Sequence, residues 1–571
     1  MGPANRLSLY ARTISHLQAR QVGYLLLRRL PARGGAAGKK MATPRPRPGA
    51  ALHTAPLVPT IGPGNGGGYG EFRFLNVSKA FLGGGVDWAS PEMARLWRYN
   101  LHYFDYVLDD WRSADRVAEL ISDWIQSSPV SVGIGWEPYP TSLRIVNWIK
   151  LFLREDFRSH VKAAWLDSLY RQAQRLEKNI EYHLLANHLL KNGKALFFAG
   201  AFFDGADAER WLRKGSKILI QQVAEQILRD GGHFERSPMY HSIVVEDYLD
   251  SLNLMKGCPD IASTPEADFL TDGTRVAMDF LQDIRQPDGS IPLFNDSALG
   301  VAPSVDALTE YAGRVIGYQP LERPRGLHVS SRDATGYYVI RHESDMLIVD
   351  CGEIGPSYQP GHAHCDTLSF ELTLDSRPLI VDSGVFDYED SEMRRYVRST
   401  RAHNTAMIDG CEQSELWGVF RVAGRARPVH AKLEKTGEST ARFSGSHDGF
   451  ARLPGRPVHT RVIEYRTEGI WTVVDTFSGD GEHHVETFVH LHPDLTARVD
   501  GQGIQVVGGE GKPSVEIQVL EGADFALENG WYCPEFGMRR QNAVIRLSKS
   551  GPLPHRIEYR IVKRTEKRAL D

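Results

Sequence analysis

The sequence predicts a multidomain fold in which a helical half precedes a β half. Between about Pro91 and Leu308, apolar residues recur at three- and four-residue spacings, as in Leu143, Val146, Ile149 and Leu153. After Glu322–Arg325 the pattern changes to period-two alternation punctuated by Gly, Asp and Asn. No βα alternation interrupts the first half, so that half is all-α.

Taken in order, helices are expected over Val117–Ser127, Tyr139–Leu153, Val161–Leu184, Asn187–Phe203, Ala208–Leu228, Tyr240–Leu254 and Thr274–Leu281. Breaks fall at Pro138–Pro140, Gly231-Gly232 and Pro287–Gly289. Many helices joined by short loops make an (α/α) toroid or an irregular bundle. Strands are expected over Gly336–His342, Met346–Cys351, Thr367–Leu374 and Leu379–Asp382, with further runs to Ile557–Val562. Together they form an antiparallel β-sandwich of roughly 250 residues. The expected divisions are an arm and linker at 1–68, a helical domain at 69–320 and a β domain at 326–571.

The chain has 571 residues, enough for several cores, and a net charge of −4, which gives no argument for nucleic acid. Its five cysteines (Cys258, Cys351, Cys365, Cys411 and Cys533) are scattered and never in CxxC spacing. That disfavours a disulfide framework and a cysteine-based zinc site. No apolar run reaches the roughly 18 residues of a membrane-spanning helix. Ten Lys/Arg and no acid precede Glu71, and Leu7–Leu30 reads as a basic amphipathic helix. Its apolar run Val22–Leu27 is interrupted by Gly23 and followed by Arg28 and Arg29, a poor secretory signal. A peripheral membrane contact and a docking arm are both open readings. The expected location is accordingly cytoplasmic or membrane-peripheral, with periplasmic as the alternative. Gly34–Gly68, rich in Pro, Gly and Ala, reads as a linker.

Chemistry-bearing residues cluster in GHAHCDTLSFEL, Gly361–Leu372. Leu368, Phe370 and Leu372 alternate with polar residues, so a half-buried strand is expected with His362 and His364 at its entrance. With Asp366, Asp382 and His403 nearby in sequence, the set is a metal site or an acid–base site. His-x-His-x-Asp also occurs in metallohydrolases, but no β/α barrel pattern surrounds it here. Asn187 and His188 open an apolar helix, where Asn187 could equally be an N-cap. Tyr240 follows Gly231–Gly232 and a polar cluster containing Glu235 and Arg236, with His241 next to it; cations beside a phenol would lower its pKa. Arg394, Arg395, Arg398 and Arg401 could neutralise an acidic sugar, and Trp136 with other aromatics near helix starts could line a sugar cleft or simply be core.

With these motifs in place, the chain resembles the heparinase II/III family of polysaccharide lyases. NHLLKN (Asn187–Asn192), HFERSPMYH (His233–His241), GHAHCDTLSFEL, VDSG (Val381–Gly384) and RAHNT (Arg401–Thr405) carry the resemblance, in order across both halves. It implies an incomplete (α/α) toroid followed by an antiparallel β-sandwich, with the active site between them. It also implies cleavage of a uronic-acid-containing polysaccharide by β-elimination. On motif position, Tyr240 and His362 match the catalytic tyrosine and histidine. Asn187, helped by His188, matches the group that neutralises the uronate carboxylate. His364, Asp382 and His403 look like a structural divalent-metal set, with zinc the expected ion, and Asp366 is left to orient a histidine or cap the strand. Trp136, Glu235, Arg236, His241, Arg398, Arg401 and Asn404 are the expected substrate contacts. WRYNLHYFDY (Trp97–Tyr106) is like relatives associated with bacterial exopolysaccharide production, so the implied substrate is heparosan-like, heparan-sulfate-like or a self-made polymer.

The chemistry accounts for these residue types. A uronate C5 proton is weakly acidic, so donors at its carboxylate must stabilise the charge that develops there. A base takes the proton, and an acid protonates the departing oxygen. The alternatives are an alginate-type lyase, a glycoside hydrolase using Glu137 and Glu235, and a non-catalytic glycan-binding component of exopolysaccharide assembly. No organic cofactor is implied.

Overall fold

Helices and strands segregate along the chain as the hydrophobic periodicity predicts. The structure is a computed structural model that describes residues 3–27, 44–57, 70–81, 85–109, 113–130, 132–261, 264–322, 325–501, 503–508, 515–520 and 522–564. The stretches 34–43 and 58–68 of the expected linker lie outside the described residues. Two short helices, α1 (Pro3–Ile14) and α2 (Ala19–Leu27), lead in, and a hairpin of β1 (Glu71–Phe74) and β2 (Val77–Ala80) follows. The helical domain then comprises α3 (Arg95–Tyr103), α4 (Ala114–Ser127), α5 (Pro138–Leu153), α6 (Ala163–Glu177), α7 (Ala186–Phe202), α8 (Ala206–Gln226), α9 (Pro238–Gly257), α10 (Pro265–Ile284) and α11 (Val305–Ile316).

Odd-numbered helices from α3 to α11 each pack on the next, and α4, α6, α8 and α10 pack around them in a second layer. Residue composition explains the layering. All of α7 except His188 is buried, and α9 is buried over almost its whole circumference, as suits inner helices. The outer α8 buries only one stripe (Ala208, Trp211, Gly215, Ile218, Leu219, Gln222, Val223). Gly200 and Gly215 let α7 and α8 approach until a Cβ at either would meet the partner backbone. Ser237 and Ser304 cap α9 and α11 by accepting from the amides of Tyr240 and Ala307.

Several boundaries differ from the sequence expectation. The helix expected to reach Leu184 ends at Glu177, and α11 runs to a left-handed Gly317 well past Leu308. Asn187 is not an N-cap: Leu185 holds that position at φ 64°, followed by Ala186 at φ 51°, so Asn187 lies inside the first turn. Residues 44–57 are no free linker, since Arg47 N donates to Phe202 O (2.7 Å) and His53 N to Asn253 O (3.2 Å).

The β half contains a five-stranded sheet in sequence order: β3 (Leu327–Arg332), β4 (Tyr337–His342), β5 (Asp345–Asp350), β6 (Phe370–Leu374) and β7 (Arg377–Ile380). An eight-stranded and a four-stranded antiparallel sheet complete the sandwich. The five-stranded sheet is covered on both faces. Tyr338, Ile340, Leu347 and Val349 join the sandwich core, while Tyr337, Val339, Met346 and Ile348 join the core of the helical domain.

This double coverage overturns the half-buried reading of GHAHCDTLSFEL. β6 is buried along its full length, and the histidines lie in the turn before it. Its polar residues face the helical domain, where Glu371 accepts from Leu293 N (2.9 Å) and Gln286 Nε2 (2.7 Å). Arg332 with Asp283 (2.7 Å) and Thr335 with Asp230 (2.8 Å) fasten the two halves together.

Candidate active site

A cleft of about 1600 Å³ opens between the halves, lined by residues of α3, α5, α7 and α9 on one side and by Gln359–His362, Tyr388, Phe420 and Phe536 on the other. Asn187, His188, Tyr240 and His362 all line it. Tyr240 stands in the first turn of α9, and its ring stacks on His362 with centroids 3.9 Å apart. Its hydroxyl lies 3.3 Å from that of Tyr388. Burial, with Tyr388 next, raises the Tyr240 phenol well above its ordinary value, so it is protonated at neutral pH. The expected lowering by neighbouring cations does not occur. Arg236 turns away to the carbonyls of Thr335 (2.8 Å) and Ala334 (3.3 Å), and His241 Nε2 contacts Ala277 O at 3.0 Å.

His362 is held by a residue the sequence reading did not single out. Asp296 places one carboxylate oxygen 2.9 Å from His362 Nδ1 and the other 2.9 Å from His364 Nε2. Arg394 reaches both oxygens of Asp296, at 2.9 Å for the Nη2–Oδ2 contact. Burial alone would raise the Asp296 carboxyl, but Arg394 and the two imidazoles hold it well below the usual range. Asp296 sits in the short segment Pro292–Ser297, which also sends Asn295 N to Asp366 (2.8 Å) and Asn295 Nδ2 to Arg236 O (3.0 Å). Its sequence signal was an Asn-Asp pair in an otherwise apolar stretch beyond the Pro287–Gly289 break.

Glu235 is not on the cleft surface but behind it. It accepts from Asn187 N (3.2 Å) and Asn187 Nδ2 (3.1 Å), and its other oxygen is 3.4 Å from His362 Nε2. His188 lies 3.3 Å from Glu181 and against the Tyr139 ring (centroids 4.5 Å). Burial lowers the His188 pKa, yet Glu181, and Glu235 after it, outweigh burial and raise it. The cleft side of α7 therefore presents an oriented amide beside an imidazole biased toward its charged form.

Other expected substrate contacts lie away from the cleft. Trp136 is buried in the aromatic core, 5.6 Å from Trp124. Arg398 spends its donors on the carbonyls of Ala363 (3.1 Å), Gly418 (3.0 Å) and Val419 (2.9 Å). Arg401 is at the surface with Glu528 and over the Phe488 ring. Asn404 ties the carbonyls of Phe370 and Val381, both at 2.9 Å. The cations that do line the cleft include Arg95, paired with Glu137 (2.7 Å), and deep lysines such as Lys191 and Lys194, paired with Asp247 (2.7 and 2.8 Å).

The expected metal set is rearranged. His364, Asp366 and His403 are buried, and one potential ligand atom from each lies within 4.8 Å of the others. Asp382 is instead 2.8 Å from His403 Nδ1, so it takes the orienting role expected of Asp366. His364 Nδ1 and His403 Nε2 are buried without a hydrogen-bond partner in the protein, as coordinating nitrogens would be. Carboxylates crowd this pocket, and burial with Asp382 nearby pushes Glu371 up to about 8. Two free imidazole nitrogens and a carboxylate, in a pocket with excess negative charge, fit a divalent cation.

A helical arc is closed by a β-sandwich, and Asn187, Tyr240 and His362 meet at their junction. Residues 74–313 match Heparinase II/III N-terminus and residues 324–566 match Heparinase II/III-like, C-terminal; the chain belongs to the heparinase II/III family. It is 25% identical to a heparin-sulfate lyase of Bacteroides thetaiotaomicron over 72% of this chain and 63% of the relative, so it spans less than two thirds of that protein's length. It is 23% identical to FtsZ-localized protein C of Caulobacter vibrioides, over 77% of this chain and 78% of the relative. Its fold matches a crystal structure of heparinase III with a TM-score of 0.67 at 19% identity, covering 84% of this chain and 79% of that one.

Proposed function

We propose that the protein is a lyase that cleaves a uronic-acid-containing polysaccharide by β-elimination, leaving a 4,5-unsaturated uronate end. The observation that carries this is the stack of Tyr240 on His362 in the cleft, with Asn187 and His188 across from it on α7. Burial keeps Tyr240 protonated, which suits it to protonate the departing glycosidic oxygen. His362 takes the C5 proton at Nε2, because Asp296 holds Nδ1 and fixes the tautomer; Glu235, 3.4 Å from Nε2, then stabilises the imidazolium. Asn187 and charged His188 stabilise the enolate-like intermediate at the substrate carboxylate.

The partner is an acidic polysaccharide of low charge density. Six Lys/Arg and seven Asp/Glu line the cleft, leaving no net positive charge to meet dense sulfation. This favours an unsulfated heparosan-like or exopolysaccharide chain over highly sulfated heparin. We also infer a structural divalent metal, with zinc the best fit, on His364, Asp366 and His403. When bound it would offset the buried carboxylates and pin the turn that carries His362. A hydrolase reading is poorly served, because Glu235 is consumed behind Asn187 and Glu137 by Arg95 and Tyr99.

A panel of heparosan, heparan sulfate, heparin, alginate and hyaluronan, followed by ultraviolet absorbance, tests the reading. Absorbance from the conjugated double bond should rise most with heparosan or another unsulfated uronate polymer. Reducing ends without absorbance would mean hydrolysis, and silence on every polymer would point to a non-catalytic glycan-binding protein.

A further inference from the structure

Helices α1 and α2 are fixed to both halves of the molecule beside the cleft. On the β side, Tyr10 sits edge-on to Trp417 (4.7 Å), Thr13 Oγ1 accepts from Trp417 Nε1 (3.0 Å), and Arg12 pairs with Glu415 (2.9 Å). On the helical side, Tyr24 stacks on Tyr182 (4.8 Å), Arg20 pairs with Glu225 (2.9 Å), and Gln21 Nε2 donates to His183 O at 3.4 Å. These contacts orient the pair and leave an outer face uncovered among the described residues.

That outer face is apolar. Ile14 is 55% exposed, Val22 38%, Leu25 43% and Leu26 60%. Val22, Leu25 and Leu26 fall at i, i+3 and i+4, so they form one stripe along α2. Six of the eighteen large hydrophobics exposed among the described residues lie between Tyr10 and Leu26. The surrounding sequence is strongly basic, with ten Lys/Arg and no Asp/Glu in residues 1–70 of a chain whose net charge is −4.

We propose that this face docks the protein on an anionic phospholipid surface. An exposed apolar stripe in a basic segment is the arrangement of a helix lying in the membrane interface. There the acyl boundary takes Val22, Leu25 and Leu26, and the anionic headgroups attract the basic residues. A second copy of the chain would bring like charge against like, and an acidic polysaccharide would leave the leucines in water. Docking sets the cleft beside the bilayer, because the same helices contact His183 and the 416–422 hairpin, both at the cleft rim.

Co-sedimentation of the full chain with phosphatidylcholine vesicles, with and without phosphatidylglycerol, tests this. Binding is expected only with phosphatidylglycerol and should weaken as salt is added. The double substitution Leu25→Glu/Leu26→Glu should lower vesicle affinity by about tenfold or more without shifting the melting temperature. No binding to anionic vesicles by the wild-type chain, or equal binding by the variant, overturns the proposal. So does a wild-type dimer in sedimentation velocity that the substitutions dissolve, since the face would then belong to a second copy.

Discussion

His362 and His364 stand two residues apart and contact the two oxygens of a single carboxylate, yet they are placed for different work. The His362 side chain keeps 14% of its surface exposed, at the cleft, whereas that of His364 has none. His362 stacks on Tyr240; His364 faces His403 at 5.3 Å between centroids, in the pocket with Asp366. One turn thus faces the cleft from one side of Asp296 and the buried cluster of His364, Asp366 and His403 from the other. Sharing an anchor ties the position of His362 at the cleft to that of the buried His364.

The comparison can be broken from either side. The largest effect is expected from Tyr240→Phe, which removes the proton donor but keeps the stack on His362. It should cost about 10²–10⁴ in kcat, read from double-bond absorbance, with KM little changed. Asp296→Asn strikes both sides. It should cut kcat by roughly 10–100-fold and destabilise the fold by about 3 kcal/mol in urea unfolding, because Arg394 is left buried without its carboxylate.

Chelation strikes the buried side first. Metal analysis of protein purified without chelators should find about one divalent ion per chain, and its removal should lower the melting temperature by roughly 5 °C or more. A chain free of metal, or a melting curve indifferent to chelators, would remove the ligand role of His364, Asp366 and His403. His188 tests the electrostatics across the cleft. Its raised pKa means the charged form persists above pH 6.5 and is lost as pH climbs through the raised value, so kcat/KM should fall over that window. His188→Gln should flatten that limb of the profile. The smallest effect belongs to Arg401→Ala: KM unchanged and stability within about 0.5 kcal/mol, since this arginine lies at the surface away from the cleft.

Much of the fold was legible because its signals are local. Helical spacing from α4 to α10 and the switch to strand alternation near 325 each follow from neighbouring residues. The family resemblance carried by the motifs implied that Asn187, His188, Tyr240 and His362 share a site, and all four line one cleft. The misreadings share a different cause. Arg236, His241, Arg398 and Asn404 are polar residues beside motif positions, and sequence proximity suggested contact with substrate. Each is instead consumed by backbone carbonyls of distant segments, a buried demand for hydrogen bonds that no local pattern reveals.

The sequence by itself determined the order of helical and β halves, the basic arm and the residue types needed for proton transfer beside a carboxylate. Those depend on periodicity, charge and chemistry within short windows. Only the tertiary structure decided which carboxylate serves which histidine. Asp296 reached His362 from 66 residues away, and Asp382 took the place beside His403 Nδ1 while Asp366 lies within reach of His364 and His403. The reason is geometric: a carboxylate within 3 Å of an imidazole is set by how two domains pack, and that packing is fixed by Asn295, Arg394 and the doubly covered sheet rather than by spacing along the chain.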